Sequence, residues 1–412
     1  MALFVQKYGG SSVANADCMK NVAARIIRTR KDGHQVVVVV SAMGDATDDL
    51  LDLARQVNER PDPREMDVLL ATGEQVSIAI LAMALHAQGA EAISFTGPQA
   101  GIFAESVHTK GAIVDVRPKR IREALDAGKI VIVAGFQGLD PAEDIVTLGR
   151  GGSDMTAVAL AWALKADRCQ FCKDVTGVFT TDPRIVPEAR QMDEISYDEM
   201  LELASMGAAV LQSRAVEFAK KFNVPLEVLS SFEDTPGTLV KEEAADMEEI
   251  IVRGVAADTR QAKVTLMQVP DRPGIAASIF KALSAASINV DMIVLNVRAQ
   301  GQQADLSFTV PQTDLARTLE VVQAVVPGIR SSGVTHDDDI AKVSIVGVGM
   351  RSHSGIAARA FSALADHGVD IQMISTSEIK ISVLVPKDQA HAAVKALHRE
   401  FKLDAEPEAR RS

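Results

Sequence analysis

Residues 36–40 are five consecutive valines, between Gln35 and Ser41. A strand with one wet face alternates apolar and polar residues, so an unbroken β-branched run must be covered on both faces. Parallel sheets layered between helices provide that cover. The flanking pattern agrees, with strands expected at 2–7, 35–41, 91–95, 129–134, 168–172 and 224–229. Helical periodicity lies between them, at 17–31, 48–58, 64–87, 116–127, 153–165, 196–204 and 207–222. This alternation predicts a mostly parallel α/β sheet over residues 1 to about 230, with ligands at the carboxyl ends of its strands.

The first such end is Lys7, Tyr8, Gly9, Gly10, Ser11 and Ser12, which leads into a helix through Met19, Val22, Ala23, Ile26 and Ile27. Unpaired amides and the helix dipole make this turn an anion site, and Lys7 adds a movable charge. Taken alone, it is equally an ordinary corner with a surface lysine. After the valines come Ser41, Gly44 and Thr47, suited to a phosphate or carboxylate, or to a helix cap. Glu74, beside Gly73 in a long helix, faces either solvent or a ligand ammonium. VAGFQG at 133–138 is a further strand-to-glycine turn.

LGRGGSD at 148–154 opens another helix. Gly151 and Gly152 free the backbone, Ser153 and Asp154 occupy the first turn, and Arg150 offers a fork suited to a carboxylate. KDVTGVFTTDPR at 173–184 then forms a strand end and a hydroxyl-rich loop that can cup a nucleoside.

At 412 residues the chain needs two or three cores. A formal net charge of −12 argues against nucleic acid as a partner. No window is expected to reach the roughly 20 apolar residues of a membrane span, so no membrane partner is expected. The N-terminus lacks a secretion signal pattern, and three cysteines suit a reducing cytoplasm. Cys169 and Cys172 have CxxC spacing but sit in a strand-like run, where packing explains them. No GxGxxG follows the first strand, which argues against a dinucleotide-binding oxidoreductase.

The acidic stretch 231–249 reads as a linker. Beyond it VTLMQVPDRPGIAASIFKALSAASINVDMI, from 264, is repeated as VSIVGVGMRSHSGIAARAFSALADHGVDIQMI, from 343. Gly274 aligns with Gly355, Phe280 with Phe361 and Met292 with Met373. Each unit predicts strand, glycine turn, amphipathic helix and strand.

KYGGSSV, VSAM with Thr47, ATGEQVS, GFQG, GRGGSDMTA and DVTGVFTTDPR, in this order, resemble the amino-acid kinase family, and within it the branch that phosphorylates the β-carboxylate of aspartate. The repeat resembles a pair of ACT domains, regulatory βαββαβ modules that bind amino acids. The resemblance implies a three-layer kinase domain of amino-acid kinase fold at 1–245. Two ferredoxin-like ACT domains would follow at 246–340 and 341–412, with intertwined units. It implies ATP and Mg²⁺ as cofactors, with no direct protein ligand to the metal.

By this resemblance the catalytic residues are Lys7 and Asp154. ATP falls to Lys7, Tyr8, Gly9, Gly10, Lys173, Asp174, Phe179, Thr180, Thr181, Asp182, Pro183 and Arg184. Aspartate falls to Ser41, Thr47, Glu74, Arg150, Gly151, Gly152, Ser153 and Asp154. Lysine, threonine or both would inhibit through three segments. The first is Asp271, Arg272, Pro273, Gly274, Ile275 and Ala276; the second Asn289, Val290 and Asp291; the third Gln372, Thr376, Ser377 and Glu378.

Three positions depart from the family pattern. Ala209 stands where a phosphate-neutralising lysine is usual, Lys173 replaces a hydroxyl residue, and Asp45 replaces a glycine. Lys173 is therefore a candidate substitute for the missing charge. The alternative is an impaired paralogue acting as an amino-acid sensor. A kinase for acetylated glutamate fits less well, since Glu74 and Arg150 suit a free α-amino acid. A homo-oligomer is expected, or assembly with a shorter regulatory chain started at Met247.

Overall fold

The computed structural model describes residues 1–206, 210–242, 251–297 and 303–405. Gly207, Ala208, Ala209 and Met247 fall outside them. The chain forms two compact units. The first holds Met1–Val178, Gln191–Ala204 and the described part of Ala209–Glu243; the second holds Phe179–Arg190, Ser205, Met206 and the described residues from 251 onward.

The first unit begins with β1 (Leu3–Tyr8), α1 (Ala16–Lys31), β2 (Gln35–Val40), α2 (Ala46–Val57), α3 (Pro63–Ala87) and β3 (Ala92–Phe95). It continues with β4 (Ile102–Ala104), β5 (Ile113–Val116), α4 (Lys119–Asp126), β6 (Ile130–Ala134), β7 (Gln137–Leu139) and β8 (Ile145–Thr147). Then come α5 (Gly152–Leu164), β9 (Arg168–Lys173), β10 (Glu194–Ser196), α6 (Tyr197–Ser205), α7 (Ser213–Phe222), β11 (Leu226–Ser230) and β12 (Thr238–Lys241). The main sheet has the order β10-β12-β11-β9-β1-β2-β6-β3, and every pairing is parallel except β11 with β12.

The valine strand β2 is central and buried on both faces, as its composition requires. Asn15 caps α1 by accepting from the Asp17 and Cys18 amides. Its Met19, Val22, Ala23 and Ile26 then face the sheet, at about 2 kcal/mol for each large side chain buried. Strand order turns at β1: β2 lies on one side and β9 on the other, so a crevice opens where their carboxyl ends diverge.

Three expectations need correction. The stretch 231–249 is not all linker, because Thr238–Lys241 is a sheet strand. A separate sheet, β5-β4-β7-β8, was not foreseen, since strands of three or four residues carry no readable period. Finally, α3 has the length and hydropathy of a membrane span. Half of that apolar window is buried inside the protein, and Asp67, Glu74 and Ser77 are buried along the same helix, which marks it as a core helix. Cys169 and Cys172 are free, buried thiols of β9, and burial pushes Cys172 up to about 11.

The second unit contains β13 (Gly254–Pro270), α8 (Ile275–Ala285), β14 (Asp291–Val297), β15 (Gln303–Pro311), α9 (Leu315–Ile329) and β16 (Gly333–Val346). It ends with α10 (Ile356–Asp366), β17 (Met373–Thr376), β18 (Lys380–Pro386) and α11 (Ala390–Glu400). One antiparallel sheet, β14-β15-β13-β16-β18-β17, joins both repeats. β13 and β16 each serve two cores. Val264 and Leu266 lie in the first, with Ile279 and Phe308. Val255 lies in the second, with Val343, Leu364 and Leu397. Gly274 and Gly355 begin the equivalent helices α8 and α10 at φ 93° and 85°, a conformation that a side chain resists.

Candidate active site

Lys7 lies next to the end of β1, and Asp154 lies in the first turn of α5. Lys7 Nζ is 2.7 Å from Asp154 Oδ1, and both side chains are buried. Lys173, the last residue of β9, places its Nζ 3.7 Å from Asp154 Oδ2. Burial opposes the charge on Asp154, but the Lys7 and Lys173 ammonium groups hold its carboxyl below the usual range.

The turn after β1 is fixed from several directions. A Cβ on Gly10 would lie 2.9 Å from the Gly44 carbonyl oxygen and 3.0 Å from that of Ala42, so only glycine lets the two loops meet. The Gly44 amide donates to the Gly10 carbonyl, and the Ser41 amide to that of Tyr8. Ser12 and Ser231 hydroxyls lie 2.7 Å apart, and the Ser231 amide donates to the Lys173 carbonyl. Sequence reasoning missed Ser231, because its stretch reads as linker.

Glu74 reaches the same region from α3. Gly73 permits this approach: a Cβ there would lie 2.9 Å from that of Ala42. Glu74 Oε1 accepts from the Ala42 amide at 3.1 Å, while the buried Oε2 has no partner among the described residues. Burial pushes this carboxyl up to about 7, against the Ala42 amide and the Lys7 charge. A buried carboxylate with one empty acceptor is completed by a cationic donor.

Thus Lys7, Asp154 and Lys173 form one cluster, and the Lys7 charge is felt at Glu74. Ser41 and Thr47, both half-buried, flank the loop after β2. Asp45 is exposed just before α2. Arg150 is exposed in the turn before α5. Gly151, at φ 78°, and Gly152, where a Cβ would lie 2.8 Å from Leu148 Cβ, set up that helix start. Ser153 is buried beside Gly135, whose Cβ would lie 2.6 Å from its Oγ.

Two expectations change at the level of side chains. The Tyr8 ring is wholly buried in the core and its hydroxyl donates to Gln6, so only its backbone borders the turn. The Thr180 hydroxyl is buried, accepts from the Arg190 amide and pairs with His398 Nε2 at 3.0 Å, so it is committed within the fold. Phe179–Arg190 folds with the second unit, although the motif is continuous with β9 in sequence. There Val186 packs in the core with Val252 and Leu397. Asp182 pairs with Arg184 at 2.7 Å, Pro183 is exposed, and Thr181 is buried. Asp174, in the first unit, is exposed.

The expected effector residues do not form one group. Asp271–Gly274 is the turn after β13 and Ile275 and Ala276 open α8, whereas Asp291 begins β14 at the level of Lys263. About seven strand residues, roughly 20 Å, separate those levels along β13. Asp291 and Gln372 occupy equivalent repeat positions, and each meets a lysine of the other repeat. Lys342 Nζ donates to Asp291 Oδ2 at 2.6 Å, and Lys263 Nζ donates to Gln372 Oε1. Met292 and Met373 pack together beside them. Asn289 and Val290 precede Asp291; Thr376 ends β17 and Ser377 and Glu378 follow it, with Glu378 Oε2 3.5 Å from Arg351 Nε.

Comparison with known proteins fits this two-part architecture. The amino acid kinase family matches residues 2–230, and the ACT domain matches 267–325 and 343–401. An aspartokinase of Mycolicibacterium smegmatis is 52% identical over 413 residues, covering 99% of this chain and 98% of the relative. The chain belongs to the aspartokinase family. Another aspartokinase, from Geobacillus stearothermophilus, is 52% identical over 412 residues and covers both chains completely. Aspartokinase III of E. coli, solved with aspartate and ADP in its R-state, matches at a TM-score of 0.81 with 26% identity, over 97% of this chain and 99% of that one. The same E. coli protein in its T-state, with lysine and aspartate, matches at 0.78 and 25%. The chain therefore has the family's plan of an amino-acid kinase domain followed by ACT domains.

Proposed function

We propose that this aspartokinase transfers the γ-phosphoryl group of ATP to the β-carboxylate of L-aspartate, and that Lys7, Glu74, Arg150 and Asp154 carry the step. The observation that supports this most strongly is the buried Lys7–Asp154 pair beside the glycine turn at the strand-order switch. The nucleophile is a carboxylate with a pKa of about 3.9, already ionised at neutral pH, so no general base is needed. One of its oxygens bonds to the γ-phosphorus as the bond to the β,γ-bridging oxygen breaks, and ADP leaves with the electron pair. No proton moves. Catalysis is then alignment and neutralisation of charge.

Lys7 and the amides of the 9–12 turn meet the transferring group. Asp154 fixes Lys7 through the 2.7 Å contact. Glu74 Oε2, without a partner among the described residues, takes the aspartate ammonium, and Arg150 takes its α-carboxylate. Asp154 is already engaged by lysine, so Mg²⁺ would arrive with the nucleotide rather than on a protein carboxylate, and would supply further charge neutralisation. Amino-acid effectors such as lysine or threonine, in keeping with the lysine complex of the E. coli relative, bind near Asp291 and Lys342. A second copy pairs along edge strand β14, where Ile293, Leu295 and Val297 are exposed.

The test is aspartate-dependent ADP release, with the acyl phosphate trapped by hydroxylamine. Arg150→Lys is expected to raise the aspartate KM at least tenfold and leave the ATP KM within twofold. Absence of aspartate-dependent ADP from the wild type, or equal loss toward both substrates in the variant, would overturn the assignment.

A further inference from the structure

Asp67 lies on α3 about two turns before Glu74, on the same face of the helix. Its side chain is wholly buried. A buried carboxyl is costly unless its acceptors are filled, and here the donors come from two other segments. His108 Nδ1 donates to Oδ2 at 2.7 Å, the Thr109 amide donates to Oδ1 at 3.0 Å, and the Thr147 hydroxyl donates to Oδ1. Asp67 thus gathers onto α3 both the loop between β4 and β5 and the end of β8.

The loop is held in a form it would not choose. Thr109 stands at φ 66°, a left-handed conformation that a β-branched residue resists. Its amide is the one that Asp67 accepts from. Gly111 then lets the loop lie on β8: a Cβ there would be 2.5 Å from Val146 Cγ1, and its amide donates to the Thr147 carbonyl at 3.0 Å.

What these contacts fix is the turn that carries Arg150. Thr147 ends β8, and Leu148 and Gly149 lead directly into Arg150. A Cβ on Gly149 would lie 3.3 Å from the Thr109 carbonyl oxygen, so the loop backbone lies close against the turn. The Arg150 side chain is exposed and has no partner among the described residues, so its place is set by that turn. Gln137, opposite Thr147 on β7, donates through Nε2 to the Ala71 carbonyl, between Asp67 and Glu74 on α3. One helix therefore carries Glu74 and also anchors the approach to Arg150.

We propose that Asp67 is a positioning residue which, through His108, Thr109 and Thr147, holds the Arg150 turn in register with Glu74, so that the ammonium and the α-carboxylate of the substrate are read from one rigid frame. This rests on the assignment of Glu74 and Arg150 to the amino-acid substrate above. A misplacement of about 1 Å at such a group costs on the order of 100-fold, and the frame removes that freedom.

The test separates positioning from folding. Thr147→Val keeps the shape and removes the hydroxyl, whereas Thr147→Ser keeps the donor. His108 is 25% exposed, so His108→Ala opens no deep cavity, and His108→Asn restores a donor near the Nδ1 position. Thr147→Val and His108→Ala should each raise the aspartate KM at least fivefold with the ATP KM within twofold, and Thr147→Ser and His108→Asn should return it to within twofold of wild type. In an Arg150→Lys background, His108→Ala should raise the aspartate KM less than twofold further, because the group it positions is already altered. Full multiplication of the two effects, or equal shifts toward aspartate and ATP, would overturn the proposal while leaving the transferase reading intact. A wild-type aspartate KM in Arg150→Lys alone would remove Arg150 from the substrate site and the proposal with it.

Discussion

Glu74→Gln removes a charge and keeps the shape of a side chain that is only 3% exposed. Burial raises the Glu74 carboxyl from 4.5 to about 7. This displacement corresponds to roughly 3 kcal/mol held against the ionised form. The folded-state value lies above the unfolded one. The protonated group is therefore fully accommodated below about pH 4.5, and stability is lost as pH rises to about 7. At pH 8 the wild type carries the whole penalty, whereas the glutamine carries none. The variant should be more stable there by up to about 3 kcal/mol, and the gap should shrink to about 1.4 kcal/mol at pH 5.5. Trp162, the single tryptophan, lies on α5 against Phe222 and reports unfolding of the first unit in urea. The stabilised variant should be a poor enzyme, with the aspartate KM raised about 100-fold through loss of a charge-assisted bond. A stability gap that does not change with pH, or a variant weaker than wild type at pH 8, would refute this account of Glu74.

Gly10→Ala places a methyl 2.9 Å from the Gly44 carbonyl oxygen, and thermal denaturation should show a loss of about 1–3 kcal/mol together with a kcat at least tenfold lower. Asp291→Asn removes the charge that meets Lys342 at 2.6 Å. The concentration of lysine or threonine for half inhibition should rise at least tenfold, with kcat unchanged when no effector is present.

Much of the fold was legible because its signals are strong locally. The valine run could only be a central strand, and the glycine offsets of the repeat return as two left-handed helix starts. The short strands β4, β5, β7 and β8 carry no such signal, because each depends on its neighbours rather than on its own pattern. The lysines and Asp154 could be named from sequence, but not the geometry that sets both Lys7 and Lys173 against the one carboxylate, at 2.7 and 3.7 Å. Nor could sequence reveal that Val186, a few residues past the hydroxyl-rich loop, is buried with Val252 and Leu397. Chain continuity and core membership are different things there.

The two long strands of the second unit also limit how it can be taken apart. β13 and β16 each pass from one repeat's core into the other, so no cut between residues 270 and 343 leaves a self-sufficient module. The repeats should melt in a single step, and amides deep in either should exchange with solvent at a common rate. The register of β13 against β16 shifts between Asp258 and Lys263, where the strand leaves one core for the other, so the irregularity sits at the passage between the two repeats.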